Sequence, residues 1–508
     1  MFRDVVTSRQ MRALELNSEY LGVSTLQLME NAGMTVAREV ASRFPSDSRI
    51  IIFGGTGRNG GDGMVAARHL ACNGFRVLFQ LIGREVDVKD PIVVQNWKTL
   101  KSMTSSVELR TVSDSSLIKP CECNAIIDAM LGTGARGALR PPVLQAVRAV
   151  NESRGFRLAV DVPSGLDSDT GQSLGDTVRA DLTLSFHRMK AGFMNAKKYL
   201  GEVKVVNIGI PPEAELYAGP GDVEITKKQR LASSHKGDFG RLLVVGGSET
   251  YAGAPSYVAL AALRTGVDIV VVAAPERTAY AISSFSPDLI TLKLTGNHLN
   301  KSNVPQIRNV LERSTGIVIG PGLGNHRETA SALEKIFDLI HELKKPVLID
   351  ADAIGVYADS KTRLDTPLVL TPHPGEFEEL TGKKPRMELH EKIEDVKKAA
   401  SENHATILLK GAIDVVSDGR RVKLNYTGNP GMTVGGTGDV LAGIVGALIS
   451  QGFDPVEASA AGAFINGAAG DIVHQEKGYH IVASDLIGHI PEVFERPMIH
   501  KDYRIDQL

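Results

Sequence analysis

Short apolar runs alternate with helical patterns along this chain, and the alternation restricts its possible folds more than any other feature. The runs lie at residues 50–53, 76–79, 125–128, 158–161 and 182–185 in the first half, and at 242–245, 269–272, 317–319, 347–350, 368–370 and 407–409 in the second. Uninterrupted apolar runs of this length are typical of strands that are buried on both faces of a parallel sheet. The helical segments between them favour sheets covered by helices, and we predict an α/β protein.

Two segments rich in proline and glycine, residues 211–212 and 218–221, divide the chain near its middle. Such segments are typical of linkers, because few contacts cross them. The length of 508 residues is sufficient for two or more domains. We predict one domain over residues 1–218 and a second over residues 224–508.

Composition narrows the range of partners. Hydrophobic residues make up 43% and charged residues 23% of the chain, and the net charge is −2, so there is no electrostatic case for nucleic acid or for a membrane surface. No apolar run approaches the length of a membrane span, and the first residues lack a signal-peptide core. We expect a cytoplasmic homo-oligomer. The three cysteines are too few for a disulfide framework, and Cys121 with Cys123 is too little for a zinc site.

The glycine-rich segment at residues 429–438 is followed by Asp439 and an apolar helical stretch. Glycines let the backbone approach a phosphate, and the free N–H groups at the start of a helix then point at it. A carboxylate beside such an anion site is well placed to take a proton from an attacking hydroxyl. The segment therefore predicts phosphoryl transfer to an alcohol with Asp439 as the base. The alternative is a tight helix entry that Asp439 merely caps.

Three polar turns in the first half each follow an apolar run: residues 54–63 with a helix after them, residues 132–138 after Asp128, and residues 161–167. The strand, glycine loop and helix order can hold a pyrophosphate, although the spacing is not a clean dinucleotide fingerprint. Turns at the carboxyl ends of parallel strands converge on one pocket. Their carboxylate, hydroxyl and amide oxygens suit an alkali or alkaline-earth cation better than zinc. The alternative is that Asp128 and Asp161 only cap turns.

These turns resemble the NAD(P)H-hydrate epimerase family. The similarity lies in residues 59–63, in Asp128 with the turn at 132–134, in residues 161–165, and in the early segment 28–33. It implies a Rossmann-like three-layer domain that interconverts the R and S forms of NADH and NADPH hydrated at C6 of the nicotinamide ring (NADHX and NADPHX). It also implies a bound potassium ion. One departure is Arg58, where the family usually has Asn, and this puts the ligand role of that position in doubt.

The resemblance implies a role for each matching residue. Potassium would be held by Asn59, Asp128 and Ser164. The substrate would contact Arg58, Asn59, Gly60, Gly61, Asp62, Gly132, Thr133, Gly134, Ala135, Arg136, Gly137, Ala138 and Asp161. The ion would anchor the turn that carries Asp161. We also expect Asp161 to be the acid/base group at C6.

The second half, from about Ser233 onward, is similar to the NAD(P)H-hydrate dehydratase family, whose fold is ribokinase-like. Its polar segments occur in the family's order: residues 234–240 precede the first apolar run of this half, and residues 246–248, 320–324, 350–353, 371–377 and 410–411 each follow a run. The fusion of the two families implies ADP as the phosphoryl donor, with AMP and phosphate as products, and we expect a magnesium ion with the nucleotide. Phosphorylation would turn the C6 hydroxyl into a good leaving group.

The dehydratase resemblance also implies two sets of contacts. The nucleotide would contact Lys410, Gly411, Ala412, Ile413, Asp414, Asn429, Pro430, Gly431, Met432, Thr433, Val434, Gly435, Gly436, Thr437 and Gly438. The hydrate would contact Gly322, His373, Pro374, Gly375, Glu376, Phe377, Glu378, Glu379 and the catalytic Asp439.

Two other interpretations remain open. A small-molecule kinase of the ribokinase type, acting on a vitamin precursor, would also have a glycine loop followed by Asp439. The first half would then be a ligand-binding or scaffold module. Two features favour the repair enzyme: the segment at residues 373–377, and the presence in the first half of Asn59, Asp128, Asp161 and Ser164.

Overall fold

The computed structural model describes residues 5–504, which divide into two compact units, residues 5–211 and residues 212–504. Each unit has its own large sheet and its own hydrophobic core. Among the described residues, no helix is long and apolar enough to cross a membrane.

The first unit contains nine strands and six α-helices among its described residues. The strands are β1 (Val5–Val6), β2 (Arg49–Gly54), β3 (Arg76–Ile82), β4 (Val107–Val112), β5 (Glu122–Ala129), β6 (Arg154–Val160), β7 (Leu182–Phe186), β8 (Met189–Lys190) and β9 (Glu202–Val206). The helices are α1 (Ser8–Tyr20), α2 (Thr25–Arg43), α3 (Arg58–Cys72), α4 (Pro91–Ser102), α5 (Val143–Glu152) and α6 (Lys197–Leu200). Helices α1 and α2 each begin at a capping box, Thr7 with Gln10 and Ser24 with Gln27.

Seven of these strands form one parallel sheet in the order β4-β3-β2-β5-β6-β7-β9, and β1 pairs with β8. The four consecutive residues Ile50, Ile51, Ile52 and Phe53 are at most 1% exposed, so both faces of the sheet are covered. The predicted α/β fold is therefore confirmed. The strand order reverses between β2 and β5, and ligands of open parallel sheets bind outside the carboxyl ends at such a switch point.

Helix α3 begins at Arg58, earlier than the sequence pattern predicted, so most of the glycine segment is helical. The reason is close packing. A Cβ atom on Gly60 would lie 1.9 Å from the carbonyl oxygen of Gly55, and one on Gly63 would lie 2.6 Å from Cβ of Ala129. These glycines let the start of α3 lie directly against the ends of β2 and β5.

The second unit contains nine strands and twelve α-helices among its described residues. The strands are β10 (Arg241–Val245), β11 (Ile269–Pro275), β12 (Ile290–Leu294), β13 (Gly316–Ile319), β14 (Val347–Ile349), β15 (Leu368–Leu370), β16 (Thr406–Leu409), β17 (Asp414–Ser417) and β18 (Val422–Asn425). The helices are α7 (Pro212–Leu216), α8 (Pro220–Glu224), α9 (Gly253–Arg264), α10 (Glu276–Phe285), α11 (Val304–Leu311), α12 (Arg327–Leu343), α13 (Asp352–Asp359), α14 (Pro374–Thr381), α15 (Leu389–Asn403), α16 (Thr437–Ser450), α17 (Pro455–Lys477) and α18 (Ala483–Glu495).

These nine strands form one sheet in the order β12-β11-β10-β13-β14-β15-β16-β17-β18. Pairing is parallel from β12 to β16, and β17 and β18 are antiparallel additions. The order reverses between β10 and β13, which places a second switch point beside the turns at residues 246–248 and 320–324. Helix α16 is buried all round from Val440 to Ser450, as expected for a helix in the middle of a domain.

The segment at residues 212–224 belongs to the second unit by its contacts. Tyr217 pairs with Leu424 next to β18, and its ring lies 4.6 Å from that of Tyr426. Lys423 Nζ lies 2.7 Å from Asp222 Oδ1. The division between units thus coincides with the first of the two breaks in composition. The ranges 1–218 and 224–508 remain predictions for the functional domains.

Candidate active sites

A cavity of about 840 Å³ lies at the switch point of the first unit. Its lining includes nine of the residues predicted to contact substrate: Arg58, Asn59, Asp62, Gly132, Thr133, Gly134, Ala135, Arg136 and Asp161. Gly60, Gly61, Gly137 and Ala138 do not line it. A Cβ on Gly61 would lie 2.7 Å from Cε of Met29, so Gly61, like Gly60, serves packing.

Asp161 follows β6 directly and has a left-handed backbone with φ of 64°, which is uncommon for a residue other than glycine. Its carboxylate is fixed by two donors. The backbone N–H of Phe186 donates to Oδ1 at 2.9 Å, and Lys190 Nζ lies 2.6 Å from the same oxygen. Lys190 is fully buried and also donates to the carbonyl oxygens of Phe186 and Arg188. Asp161 is therefore held in one orientation against a buried ammonium group.

Two further carboxyl groups, Asp62 and Glu15, line the same cavity. Burial raises the pKa of Asp62 well above its ordinary value, and the nearby Asp161 carboxylate raises it further. Burial also raises the pKa of Glu15, against the opposing charge of Arg58. The cavity thus contains the Asp161 carboxylate, paired with Lys190, and two carboxyl groups whose pKa values are raised, Asp62 and Glu15. A general base and a general acid require two such different environments.

Arg58 occupies the position at which the sequence departs from the epimerase pattern. Its Nε donates to Asp90 Oδ2 at 3.0 Å, and its Nη1 lies 3.5 Å from Glu15 Oε2. Asp90 is also the N-cap of α4. The guanidinium group therefore links α1, α3 and α4 at the edge of the cavity, with its side chain 54% exposed.

The three predicted cation ligands lie at the ends of neighbouring elements. Asp128 accepts hydrogen bonds from the backbone N–H and the hydroxyl of Ser164, at 2.7 and 2.6 Å. Asn59 Oδ1 lies 3.5 Å from the position of a Cβ on Gly132, in the turn after β5. Burial raises the pKa of Asp128 to about 6, although the Ser164 hydrogen bonds favour its charged form. Asn59 Nδ2 is buried without a hydrogen-bond partner among the described residues.

In the second unit, the predicted anion loop at residues 429–438 forms a short 3₁₀ turn (Pro430–Thr433) and then the start of α16. Gly436 is the N-cap, with φ of 100°, and Asp439 lies in the first helical turn. Lys410 Nζ lies 3.6 Å from the position of a Cβ on Gly438. A lysine and free helix N–H groups therefore face the same space, as an anion site requires.

Lys410 is held by two carboxylates, Asp350 directly after β14 and Glu376 in the first turn of α14. Its Nζ lies 3.0 Å from Asp350 Oδ1 and 3.7 Å from Glu376 Oε2. Burial alone would lower the pKa of Lys410, but the charges of Asp350 and Glu376 raise it overall. Burial raises the pKa of Asp439 to about 7, and the charge of Asp350 adds to this while Lys410 opposes it. Asp439 can thus exchange a proton near neutral pH, which suits a general base.

The predicted hydrate segment at residues 373–379 divides between surface and core. His373 is the N-cap of α14, and its Nδ1 accepts a hydrogen bond from the backbone N–H of Gly375 at 3.0 Å. Glu376 Oε2 in turn accepts a hydrogen bond from the backbone N–H of His373. Phe377 is 2% exposed and packs in the core, so its side chain is not open to a ligand. Glu379 Oε2 lies 2.8 Å from the position of a Cβ on Gly355, and Glu378 pairs with Lys384 at 3.7 Å.

Two further predicted residues, Gly322 and Asp414, lie in turns that they help to form. A Cβ on Gly322 would lie 2.8 Å from Cβ of Tyr251, and its φ is 68°. Asp414 accepts the backbone N–H of Gly411 at 3.0 Å and thereby closes the turn after Lys410. Burial raises the pKa of Asp414 to about 6.

Comparisons with known proteins match both halves of the chain. Residues 242–492 match the family described as NAD(P)H-hydrate dehydratase, and residues 25–192 match the family described as YjeF-related protein N-terminus. The chain is 46% identical to the bifunctional NAD(P)H-hydrate repair enzyme Nnr of Pyrobaculum aerophilum over 97% of this chain and 98% of that protein. It belongs to the family of bifunctional NAD(P)H-hydrate repair enzymes.

A second member of the repair enzyme family, from Hyperthermus butylicus, is 44% identical over 97% of this chain and 93% of its own length. A solved ribokinase-like superfamily protein from Enterococcus faecalis aligns with 55% of this chain and 95% of its own, at 24% identity and a TM-score of 0.50. This similarity shows the ribokinase-like fold of the second unit. Membership of the repair enzyme family confirms the resemblance found in the sequence and disfavours the alternative of a vitamin-precursor kinase.

Two partners in these repair enzyme sites, the fully buried Lys190 and the partly buried Glu15, were not predicted from the sequence. Lys190 lies 29 residues after Asp161 (190 minus 161) and has no distinctive local motif. Glu15 belongs to α1, ahead of the similarity noted at residues 28–33. Asp350 was visible as an acid directly after an apolar run, and that signal could have identified it as a partner of Lys410.

Proposed function

We propose that this protein repairs NADHX and NADPHX in two steps, epimerisation in the first unit and ADP-dependent dehydration in the second. The observation that carries the proposal is the full-length similarity to repair enzymes combined with a separate candidate site in each unit, the first at a switch point and the second at the start of α16 beside Lys410. The substrate classes come from the names of those relatives.

In the dehydration step, Asp439 takes the proton of the C6 hydroxyl as its oxygen attacks the β-phosphorus of ADP, and AMP leaves. The ring nitrogen then expels phosphate from C6, and loss of a proton from C5 restores the ring double bond. NADHX and ADP thus give NADH, AMP and phosphate. The N–H groups at the start of α16 and the Lys410 ammonium stabilise the charge on the transferred group.

Magnesium and potassium fit the donor sets of the two sites. Asp350 and Glu376 supply hard carboxylate oxygens near Lys410, which suit a magnesium ion bound with the nucleotide. In the first unit, Asp128, the Ser164 hydroxyl and Asn59 give a weakly charged oxygen set, and the unpartnered amide of Asn59 marks a polar space beside them. We assign Asn59, Asp128 and Ser164 to potassium, which would stabilise the turns that form the cavity.

In the epimerisation step, one bond at C6 must break and re-form on the opposite face of the ring. Loss of the hydroxyl as water requires an acid, and addition of water from the other side requires a base. Asp161 is the proposed base, and Lys190 fixes its orientation. Asp62 and Glu15 are the candidates for the acid, since burial favours their protonated forms.

The test is incubation of the full chain with a mixture of R and S NADPH hydrate and ADP, followed by the near-ultraviolet absorbance of reduced nicotinamide. We expect complete conversion, with AMP and phosphate formed only when the hydrate is present. Parallel reactions with ATP in place of ADP measure donor preference. AMP formation that occurs with a vitamin precursor as the phosphoryl acceptor, but not with the hydrate, would support the small-molecule kinase instead.

A further inference from the structure

A buried histidine and aspartate lie directly behind the anion loop, and the proposed reaction does not use them. His500 belongs to the C-terminal 3₁₀ helix (Pro497–Asp502), and its Nε2 lies 2.8 Å from Oδ2 of Asp471 on α17. Both side chains are 2% exposed. Because a carboxylate only accepts hydrogen bonds, Nε2 must carry the proton and donate it.

The other donors to Asp471 come from the residues with which the loop begins. The backbone N–H of Gly428 donates to Oδ2 at 2.9 Å, and Asn429 Nδ2 donates to Oδ1 at 2.9 Å. Asn429 in turn accepts the backbone N–H of Gly431 through Oδ1 at 3.0 Å. A continuous chain of hydrogen bonds therefore runs from His500 through Asp471 and Asn429 into the loop.

Close packing makes this series of hydrogen bonds sensitive to small displacements of α17. A Cβ on Gly470 would lie 2.2 Å from Sδ of Met432, and one on Gly467 would lie 2.1 Å from Oγ1 of Thr427, so α17 directly contacts the loop. The His500 ring also packs edge-on against Phe464, with centroids 5.5 Å apart. Asp471 thus lies between the packed ring of His500 and the start of the loop.

A buried charged pair is weak evidence for a stabilising role, because apolar replacements of similar volume are often neutral or stabilising. Its orientation toward the loop indicates a different purpose. We propose that His500 is a positioning residue for the nucleoside diphosphate site and acts through Asp471 on Asn429. The proposal rests on the dehydratase function proposed above. It predicts that the 3₁₀ helix at Pro497–Asp502 sets nucleotide affinity without contacting the nucleotide.

The test measures ADP binding by calorimetry in the full chain, without hydrate, for the wild type and for His500→Phe. Phenylalanine keeps the ring and its contact with Phe464 but removes the donor to Asp471. Loss of a hydrogen bond to a buried charge predicts that the Kd for ADP rises roughly tenfold or more. The KM for the hydrate should change little. His390→Phe, at an exposed histidine on α15, is the matched control and should bind ADP normally.

His500→Ala with added imidazole is the second variant. Imidazole should restore ADP affinity, which a general loosening of the unit would not allow. A folded His500→Phe protein with wild-type ADP affinity would overturn the proposal, and so would equal increases in the KM values of ADP and hydrate. Failure of both variants to fold would assign the pair a structural role instead. If the wild type itself does not bind ADP, the dehydratase function is at fault rather than the role of His500.

Discussion

Replacing Asp439 by Asn tests the proposed general base while the rest of the nucleotide site stays the same. The substitution keeps the size of the side chain and removes its ability to accept a proton. General-base loss typically slows a reaction by about 10²–10⁴. We expect dehydration to fall by this range while epimerisation is unchanged, since Asp439 lies in the second unit.

The same substitution should change stability in a way that depends on pH. Burial and the charge of Asp350 raise the pKa of Asp439 from 3.8 to about 7 in the folded chain. At about 1.4 kcal/mol per pH unit, a difference of about 3 units is worth roughly 4 kcal/mol, taken as an upper limit. The folded state binds the proton more tightly than the unfolded state, so this contribution to stability is complete below about pH 4 and is lost as the pH rises to about 7. Asparagine stays neutral at every pH, so the variant does not lose this stability as the pH rises.

The assay combines denaturant unfolding with rates of NADPH recovery across this pH range. Asp439→Asn should be more stable than the wild type at about pH 8 and similar to it at about pH 4. The wild-type rate constant for dehydration should rise with pH through about 7, as the base loses its proton. Asp288→Asn, at an exposed carboxylate of the same unit, is the control. Near-normal ADP-dependent recovery in Asp439→Asn would refute the assignment, and a stability difference independent of pH would refute the pKa argument.

Three other outcomes are expected. Asp128→Asn should slow epimerisation and remove its dependence on potassium, but leave dehydration of the S hydrate unchanged, as measured by chromatography of the epimers in potassium and sodium buffers. Lys190→Met should lower the epimerisation rate by about 10²-fold or more, because it leaves the Asp161 carboxylate without its buried partner; equal rates would remove Lys190 from the mechanism. A chain that begins at residue 212 should dehydrate the S hydrate, and it should consume the R hydrate only as fast as the R hydrate epimerises spontaneously. This chain should also have a higher melting temperature than a chain that begins at residue 223, because the shorter chain lacks the Asp222–Lys423 pair. Equally fast use of both epimers by either shortened chain would contradict an epimerase role for the first unit.

The strands predicted from the sequence all lie in the interior of the two large sheets, while the four edge strands and the interior strand β17 were missed. All four edge strands, β4, β9, β12 and β18, carry charged residues within their runs. An edge strand faces solvent along one side, and charge there prevents pairing with other chains. Its pattern is therefore interrupted, and a search for continuous apolar runs does not detect it. Helix α18 was missed for a different reason, since Pro491 interrupts its helical pattern.

The site residues that could be predicted are those whose neighbours in the sequence already indicate their role. A glycine loop followed by Asp439, or an acid after an apolar run, can be recognised from the adjoining residues alone. The partners of these groups come from distant elements. Lys190 reaches Asp161 from the short strand β8, and His500 reaches Asp471 from the C-terminal 3₁₀ helix. Only the folded arrangement shows them, because no spacing rule joins a buried lysine or histidine to an acid on another element.

The two sites share one electrostatic plan despite their different reactions. In each, a carboxylate is paired with a lysine, Asp161 with the fully buried Lys190 and Asp350 with Lys410, whose side chain is 20% exposed. In each, burial and the charge of that carboxylate raise the pKa of a second carboxyl group, Asp62 in the first unit and Asp439 in the second. The negative charge of the lysine-paired carboxylate favours the protonated form of the second carboxyl group. Both proposed reactions move a proton at the C6 hydroxyl of the same ring, onto the oxygen for loss of water in the first unit and off it for phosphorylation in the second, and each would use such a pair.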